Sequence, residues 1–325
     1  WSLYDFANQP FTTIIVTFLY GAFFTEYIAN DKQTGTLLWS SAIAVTAVVV
    51  SVLSPILGAL ADKGGYRKLF LMFFTWVCAI FSILLYFPEA GDVYFALSLF
   101  VVANVAFEMG SVFCNSYLPD LSKKDNIGKI SGFGWGLGFV GGLSALFLSL
   151  HLFPTLDSEG IRRINILVGV WFLIFSIPTF LFVKDRKSEK LQKRHIINSF
   201  KSLKNTFNEV VKYKTILKFL VARLFFNDGL VTIFSLGGIY AMGTLNFSFD
   251  EVLILGIVLN VAAGVGSFVF GYLEDEIGVK NVINISLLVL IFSTLLAYFA
   301  PETSNPKQMF WVAGVFIGLM VGPNQ

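Results

Sequence analysis

"GALADKGGYRK", Gly58 to Lys68, sets four charges (Asp62, Lys63, Arg67 and Lys68) into eleven residues of a chain that is only 14% charged and 56% hydrophobic. The pattern returns as "GYLEDEIGVKN", Gly271 to Asn281. Gly58 answers to Gly271, Leu60 to Leu273, Asp62 to Asp275, Gly65 to Gly278 and Arg67 to Lys280, a constant offset of 213 residues (271 minus 58). Glu274 and Glu276 stand in the second copy where the first has a neutral and a basic residue. A charged turn repeated at one offset in an oily chain asks what separates the copies.

Six apolar stretches do. The 325 residues include 36 Phe, and the mean hydropathy is +0.74. Runs of ~20 apolar residues are long enough to cross a ~30 Å hydrocarbon core as helices. Such runs lie at about 6–29, 37–61, 69–87, 93–118, 130–153, 163–183, 216–242, 250–273, 281–299 and from 307 onward. They are too long and continuous for barrel strands of ~10 residues with alternating polarity. The reading is therefore an all-α polytopic membrane protein with about ten spans visible. The start at Trp1 and the close at "GLMVGPNQ" read as cut ends, and the first span would direct its own insertion.

Charge distribution gives an orientation. Seventeen of the 23 Lys and Arg fall in alternate loops, 62–68, 119–129, 184–215 and 274–280, while the opposite loops hold Lys32, Arg162, Arg163 and Lys307. The positive-inside rule makes the rich loops and the N-terminus cytoplasmic. The break at 184–215 divides the chain into a six-helix half, 1–183, and a second half, 216–325, of which about four helices are present. Ile196, Ile197, Phe200, Leu203 and Phe207 in that break follow helical spacing, which fits either a helix on the anionic inner leaflet or a solvated linker.

The charged turn thus falls between spans two and three and again between eight and nine. Six-helix halves in parallel repeat are the architecture of major facilitator transporters, whose signature loop this turn resembles. That resemblance implies a gate in Gly58, Asp62, Gly65, Arg67, Gly271, Asp275, Gly278 and Lys280, with Asp62 and Arg67 holding its cytoplasmic side. More specific blocks follow: "WSLYDFANQPFTTIIVTFLY" from Trp1, "NSYLPDLS" from Asn115, "SGFGWGLGFVGG" from Ser131 and "NDGLVTIFSLGGIYA" from Asn227. Together they resemble the vacuole-effluxer-like family, which includes the autophagy-related vacuolar amino-acid effluxers of fungi and their bacterial relatives. The resemblance covers nearly the whole chain. It implies a twelve-helix major facilitator fold, of which two spans are missing here, and efflux of amino acids or similar small solutes. It also implies a bacterial inner membrane, or a vacuolar one in a eukaryote.

In that fold spans one, four, seven and ten line the central cavity. Span one has Asp5, Asn8, Gln9, Thr12, Thr13 and Tyr20 on one helical face, and span four has Asn104, Glu108, Ser111 and Asn115 on another. Polar stripes facing lipid would stay unsatisfied, so a wet cavity is favoured over interhelical bonding. Glu108, near mid-membrane, needs a partner, water or a proton. It is read as the proton-coupling residue, with a static ion pair as its alternative. Arg223 and Asp228 in span seven complete a substrate site for a zwitterion, unless Arg223 snorkels from the cytoplasmic end. Gly134, Gly138 and Gly142, then Gly132 and Gly136, recur every four residues in span five, and Gly256, Asn260, Gly264, Ser267 and Gly271 share a face in span eight. Small residues at this spacing let backbones approach, and both faces are expected to pack across the halves.

Enzymatic function has no support in the sequence. His151 and His195 lie near a span end and in the linker, no nucleophile–base pair or metal cluster is legible, and no phosphate loop of a pump appears. Cys78 and Cys114 sit in spans as small packing residues. The expected partners are a small-molecule solute and membrane lipids, with no nucleic acid, no cofactor and no metal, on a monomeric chain. Transport of a nucleoside, organic acid or lipid-like compound, or a non-transporting scaffold, are the alternative functions.

Overall fold

The computed structural model describes residues 1–122, 127–184 and 212–321, with the side chains at 59–64, 127–129, 268, 271, 272, 274–276 and 279 outside the description. Helices follow one another: α1 (Ser2–Ile28), α2 (Lys32–Gly64), α3 (Arg67–Leu84), α4 (Val93–Asn115), α5 (Ile127–Leu152), α6 (Ser158–Phe182), α7 (Lys214–Gly243), α8 (Phe249–Ile277), α9 (Val279–Phe299) and α10 (Pro306–Val321). Nine of these, among the described residues, are long and apolar enough to span a membrane, and α10 is a shorter apolar helix. The reading at 184–215 falls largely on residues outside the description.

Short polar residues start the helices at the Ile28 end. Asp31 accepts from the Thr34 N–H at 2.8 Å ahead of α2, and Asp157 accepts from the Gly160 N–H at 2.7 Å ahead of α6. Ser248 and Glu251 form a reciprocal capping box on α8, each side chain accepting from the other's N–H. The orphan carbonyls ending α3 are met from α6, where Arg162 donates to Tyr86 O at 2.6 Å and to Phe87 O at 3.0 Å. At the Trp1 end, tight turns separate α2 from α3 and α8 from α9. Gly65 and Gly278 take φ of +64° and +84° there.

The core forms around α1. Its most apolar stretch is 78% buried, against 11% for those of α2 and α7. Phe11, Ile14, Ile15, Phe23 and Phe24 are all but sealed from solvent, and Trp39 of α2 packs on Phe100 of α4 at 4.0 Å between ring centres. α1 also departs from regular α geometry. Leu19 N–H bonds to Ile14 O, and Ala29 N–H to Phe24 O, both at 2.8 Å and both five residues back, so Phe11–Phe18 and Phe24–Ile28 are wide π turns.

The last four helices meet the first six mostly along α1. Phe18 packs against Gly256 of α8, and Gly238 of α7 lies against the backbone of Thr17 and Phe18. Tyr27 stacks on Phe249 at 5.6 Å. Nearer the Trp1 end, Phe139 of α5 joins Ala263 of α8 and Val321 of α10.

Candidate functional site

A cavity of about 400 Å³ lies between the two groups of helices, walled by α1, α4, α5, α7, α8 and α10. It is closed at one end by buried Phe18 and Leu259. Toward the Trp1 end its lining becomes exposed, at Glu108, Asn115, Trp135 and Asn227. The chamber therefore opens toward the end of the molecule that carries the Gly65 turn.

Most polar residues expected to face a cavity do line it. Asn8, Gln9, Thr12 and Thr13 of α1 and Glu108 and Asn115 of α4 are all in its wall, with Asp5 and Ser111 on the same faces. The wide turn in α1 extends that face through Val16 and Thr17. Asn104 and Tyr20 are buried away from it. Tyr20 lies instead beside Trp39, at 6.1 Å between rings.

The two charged residues expected from span seven lie elsewhere. Arg223 and Asp228 do not line the chamber and are exposed on α7. The α7 face in the wall is Asn227, Leu230, Val231, Phe234 and Ser235. Asp228 is rotated ~100° from Asn227 on a helix, and Arg223 lies about one turn beyond it toward the mouth. Asn227, Ser235, Trp135 and Ser131 were not singled out from sequence. The signal for Asn227 and Ser235 was their eight-residue separation, which keeps them near one face.

The glycines of α5 resolve into two sets. A Cβ on Gly134 would come 2.6 Å from Asp5 Oδ2, one on Gly138 would come 3.4 Å from Asp5 Cβ, and one on Gly142 would come 3.0 Å from Thr13 Oγ1 and 3.2 Å from Asn260 Oδ1. That stripe gives the polar face of α1 its room and reaches α8. Gly132 and Gly136 face open space, while Gly141, outside the spacing, rests on the backbone of Phe6. Gly266 of α8 abuts the Leu319 backbone within its own group of helices.

At the Trp1 end, Arg67 opens α3 and reaches the end of α4. It donates to Asp120 Oδ2 at 2.9 Å and to Ser116 O at 3.3 Å, with its guanidinium 5.9 Å from the Tyr117 ring centre. Both partners are mostly buried, at 18% and 21% exposure. The side chains of Asp62, Gly271 and Asp275 lie outside the description. Gly58 has no neighbour near its Cβ direction, and Lys280 is exposed. Among the described residues no group of His, Cys, Asp and Glu could hold a metal, and Cys78 and Cys114 are free and buried.

Comparison with known proteins follows from this geometry. The chain is 25% identical to the uncharacterized MFS-type transporter YxiO of Bacillus subtilis, over 99% of its own length and 77% of that protein's. It is 24% identical to autophagy-related protein 22 of Yarrowia lipolytica, covering 88% of this chain but only 62% of the fungal one. Among solved structures it resembles the E. coli xylose transporter XylE in a partially occluded inward-open conformation, with a TM-score of 0.69, 13% identity and coverage of 99% and 80%. A bacterial homolog of the human lysosomal transporter Spinster, inward-facing, gives 0.60 at 16% identity, over 99% of this chain and 71% of that one. These likenesses show the major facilitator fold of a multi-pass membrane protein. The profile of the family described as "Vacuole effluxer Atg22 like" matches residues 32–325, and the chain belongs to that family.

Proposed function

We propose that the protein is a secondary active transporter that moves amino acids or similar small polar solutes outward by alternating access, coupled to protons through Glu108. One observation carries the reading: a polar chamber between the two groups of helices, with Glu108 in its wall and no ion pair or hydrogen bond to it among the described residues. A charge so placed is costly unless it meets a proton, water or a ligand. Substrate would contact Asn8, Gln9, Thr12, Thr13, Glu108 and Asn115. The Lys and Arg bias supports a cytoplasmic Trp1 end, so the chamber faces the cytoplasm, the side from which efflux starts. The repeated turn supports a division at 184–215 and a gate in which Arg67 and Asp62 change partners between states. The family's description as a vacuole effluxer supports outward movement.

A lipid-like solute is the second reading. It is favoured by an adjoining apolar chamber of about 260 Å³ that shares Thr17, Phe18, Phe234 and Leu259 with the first. The test is solute flux in proteoliposomes with an imposed pH gradient. Wild type should move a polar amino acid against its gradient, and Glu108→Gln should lose pH-driven net flux while keeping exchange. No flux of any polar solute, or full pH-driven flux in Glu108→Gln, would overturn the reading.

A further inference from the structure

The chamber wall holds two carboxylates, Asp5 of α1 and Glu108 of α4, and among the described residues no Lys, Arg or His side chain. Neither carboxylate has a hydrogen bond or ion pair to a described residue. Several carboxylates elsewhere among the described residues are instead ion-paired. Asp120 is held by Arg67, Glu26 by Lys32, Glu159 by Arg163 and Glu251 by Lys307, all near helix ends. In the chamber, by contrast, no described cationic side chain reaches Asp5 or Glu108.

A second feature points to a missing ligand. Asn8 is only 6% exposed and lines the same chamber, yet its side-chain amide has no hydrogen-bond partner among the described residues. Its polar atoms are not sealed off, so they reach the chamber and can bond what enters it. Aromatic faces complete the set. Phe107 and Trp135 are in the wall, with Phe107 fixed against Phe11 at 5.0 Å. Carboxylates, amide oxygens and aromatic faces all attract an ammonium group. A carboxylate entering the same space would meet two like charges and no guanidinium. Arg223, which could have gripped one, lies outside the lining.

We propose that the chamber selects its solute by positive charge: the ligand is an organic amine, cationic overall, whose ammonium groups neutralise Asp5 and Glu108 and are oriented by Asn8. A diamine and a basic amino acid share this chemistry. The inference rests on the transporter reading and adds the solute's charge to it.

The test is equilibrium binding to the full chain in lipid nanodiscs, read from tryptophan fluorescence, to which Trp1 and Trp135 of the wall contribute, and checked by calorimetry. The probes are cadaverine, lysine, norleucine and glutarate. Cadaverine and lysine should bind at least about tenfold more tightly than norleucine, a difference of ~1.4 kcal/mol, and glutarate should not bind. Asp5→Asn and Glu108→Gln should each weaken cadaverine about tenfold and weaken norleucine by less. The ranking of probes on wild type decides the matter even where a variant misfolds. Norleucine or glutarate binding as well as cadaverine, or no binding of either amine, would overturn the inference. Flux in proteoliposomes separates the two claims. Transport of norleucine with cadaverine ignored would sink the charge selectivity and keep the transporter. Amine binding without flux of any solute would sink the transporter and keep the recognition.

Discussion

Gly65 and Gly278, 213 residues apart, occupy equivalent turns and both carry positive φ, +64° and +84°. The repeat read from sequence is thus also a repeat of backbone conformation. Both glycines sit where a helix must end and the chain reverse. At Gly278 the ψ of 149° places the residue in a region open essentially to glycine alone. A Cβ there would meet nothing within 4 Å, so its cost is conformational and not steric. Gly278→Ala should therefore cost about 1–3 kcal/mol, measured as a shift in thermal unfolding in detergent. An unchanged midpoint would mean the turn relaxes without loss.

Arg67 and Asp120 should be coupled. The pair is mostly buried, and Arg67 is further held by a carbonyl and an aromatic ring, so the pair should exceed the ~0.2–1 kcal/mol typical of exposed pairs. A double-mutant cycle with Arg67→Gln and Asp120→Asn should give about 1–2 kcal/mol of coupling in unfolding free energy. Strict additivity of the two substitutions would show the contact to be incidental.

The glycines of α5 should separate by face. Gly132→Ala and Gly136→Ala enter open space, and each should be neutral or stabilise by up to ~1 kcal/mol through helix propensity. Gly141→Ala would drive a Cβ into the Phe6 backbone and must separate α1 from α5. It should destabilise by about 1–3 kcal/mol, as overpacking does. Equal effects at Gly136 and Gly141 in the same unfolding assay would contradict the packing described here.

Arg223→Lys and Asp228→Asn should leave solute affinity unchanged within about twofold, because neither residue lines the chamber. Asn227→Ala should weaken binding instead. Loss of affinity at Arg223 with none at Asn227 would require the Arg223 side chain to reach from the mouth into the chamber when solute binds.

These contrasts show which features were legible. Span number and the repeat are written in hydropathy and charge, which the membrane reads residue by residue. The faces of α1 and α4 were legible because Asn8, Thr12, Glu108 and Asn115 have no place in lipid. α7 misled because charge draws attention over geometry. Arg223 and Asp228 are conspicuous, while neutral Asn227 does the lining, and a single sequence does not state how a helix is rotated about its axis. The glycine spacing failed similarly. Periodicity picked out Gly132 and Gly136, which touch nothing, and passed over Gly141, which allows the closest approach.

The polar face of α1 also has a consequence for biogenesis. α1 is made before the helices it meets, yet Thr13 finds its neighbours at Gly142, where Asn260 also arrives. Ribosomes add roughly 5–20 residues each second, so about 12–50 seconds pass between the synthesis of Thr13 and that of Asn260. Throughout that interval Asp5, Asn8 and Gln9 have no finished chamber to face. The nascent first span must be sheltered by the insertion machinery or held at the headgroup level until its later partners emerge. Polar-to-apolar substitutions on this face should therefore speed membrane integration of α1 while removing the chamber it was made to wall.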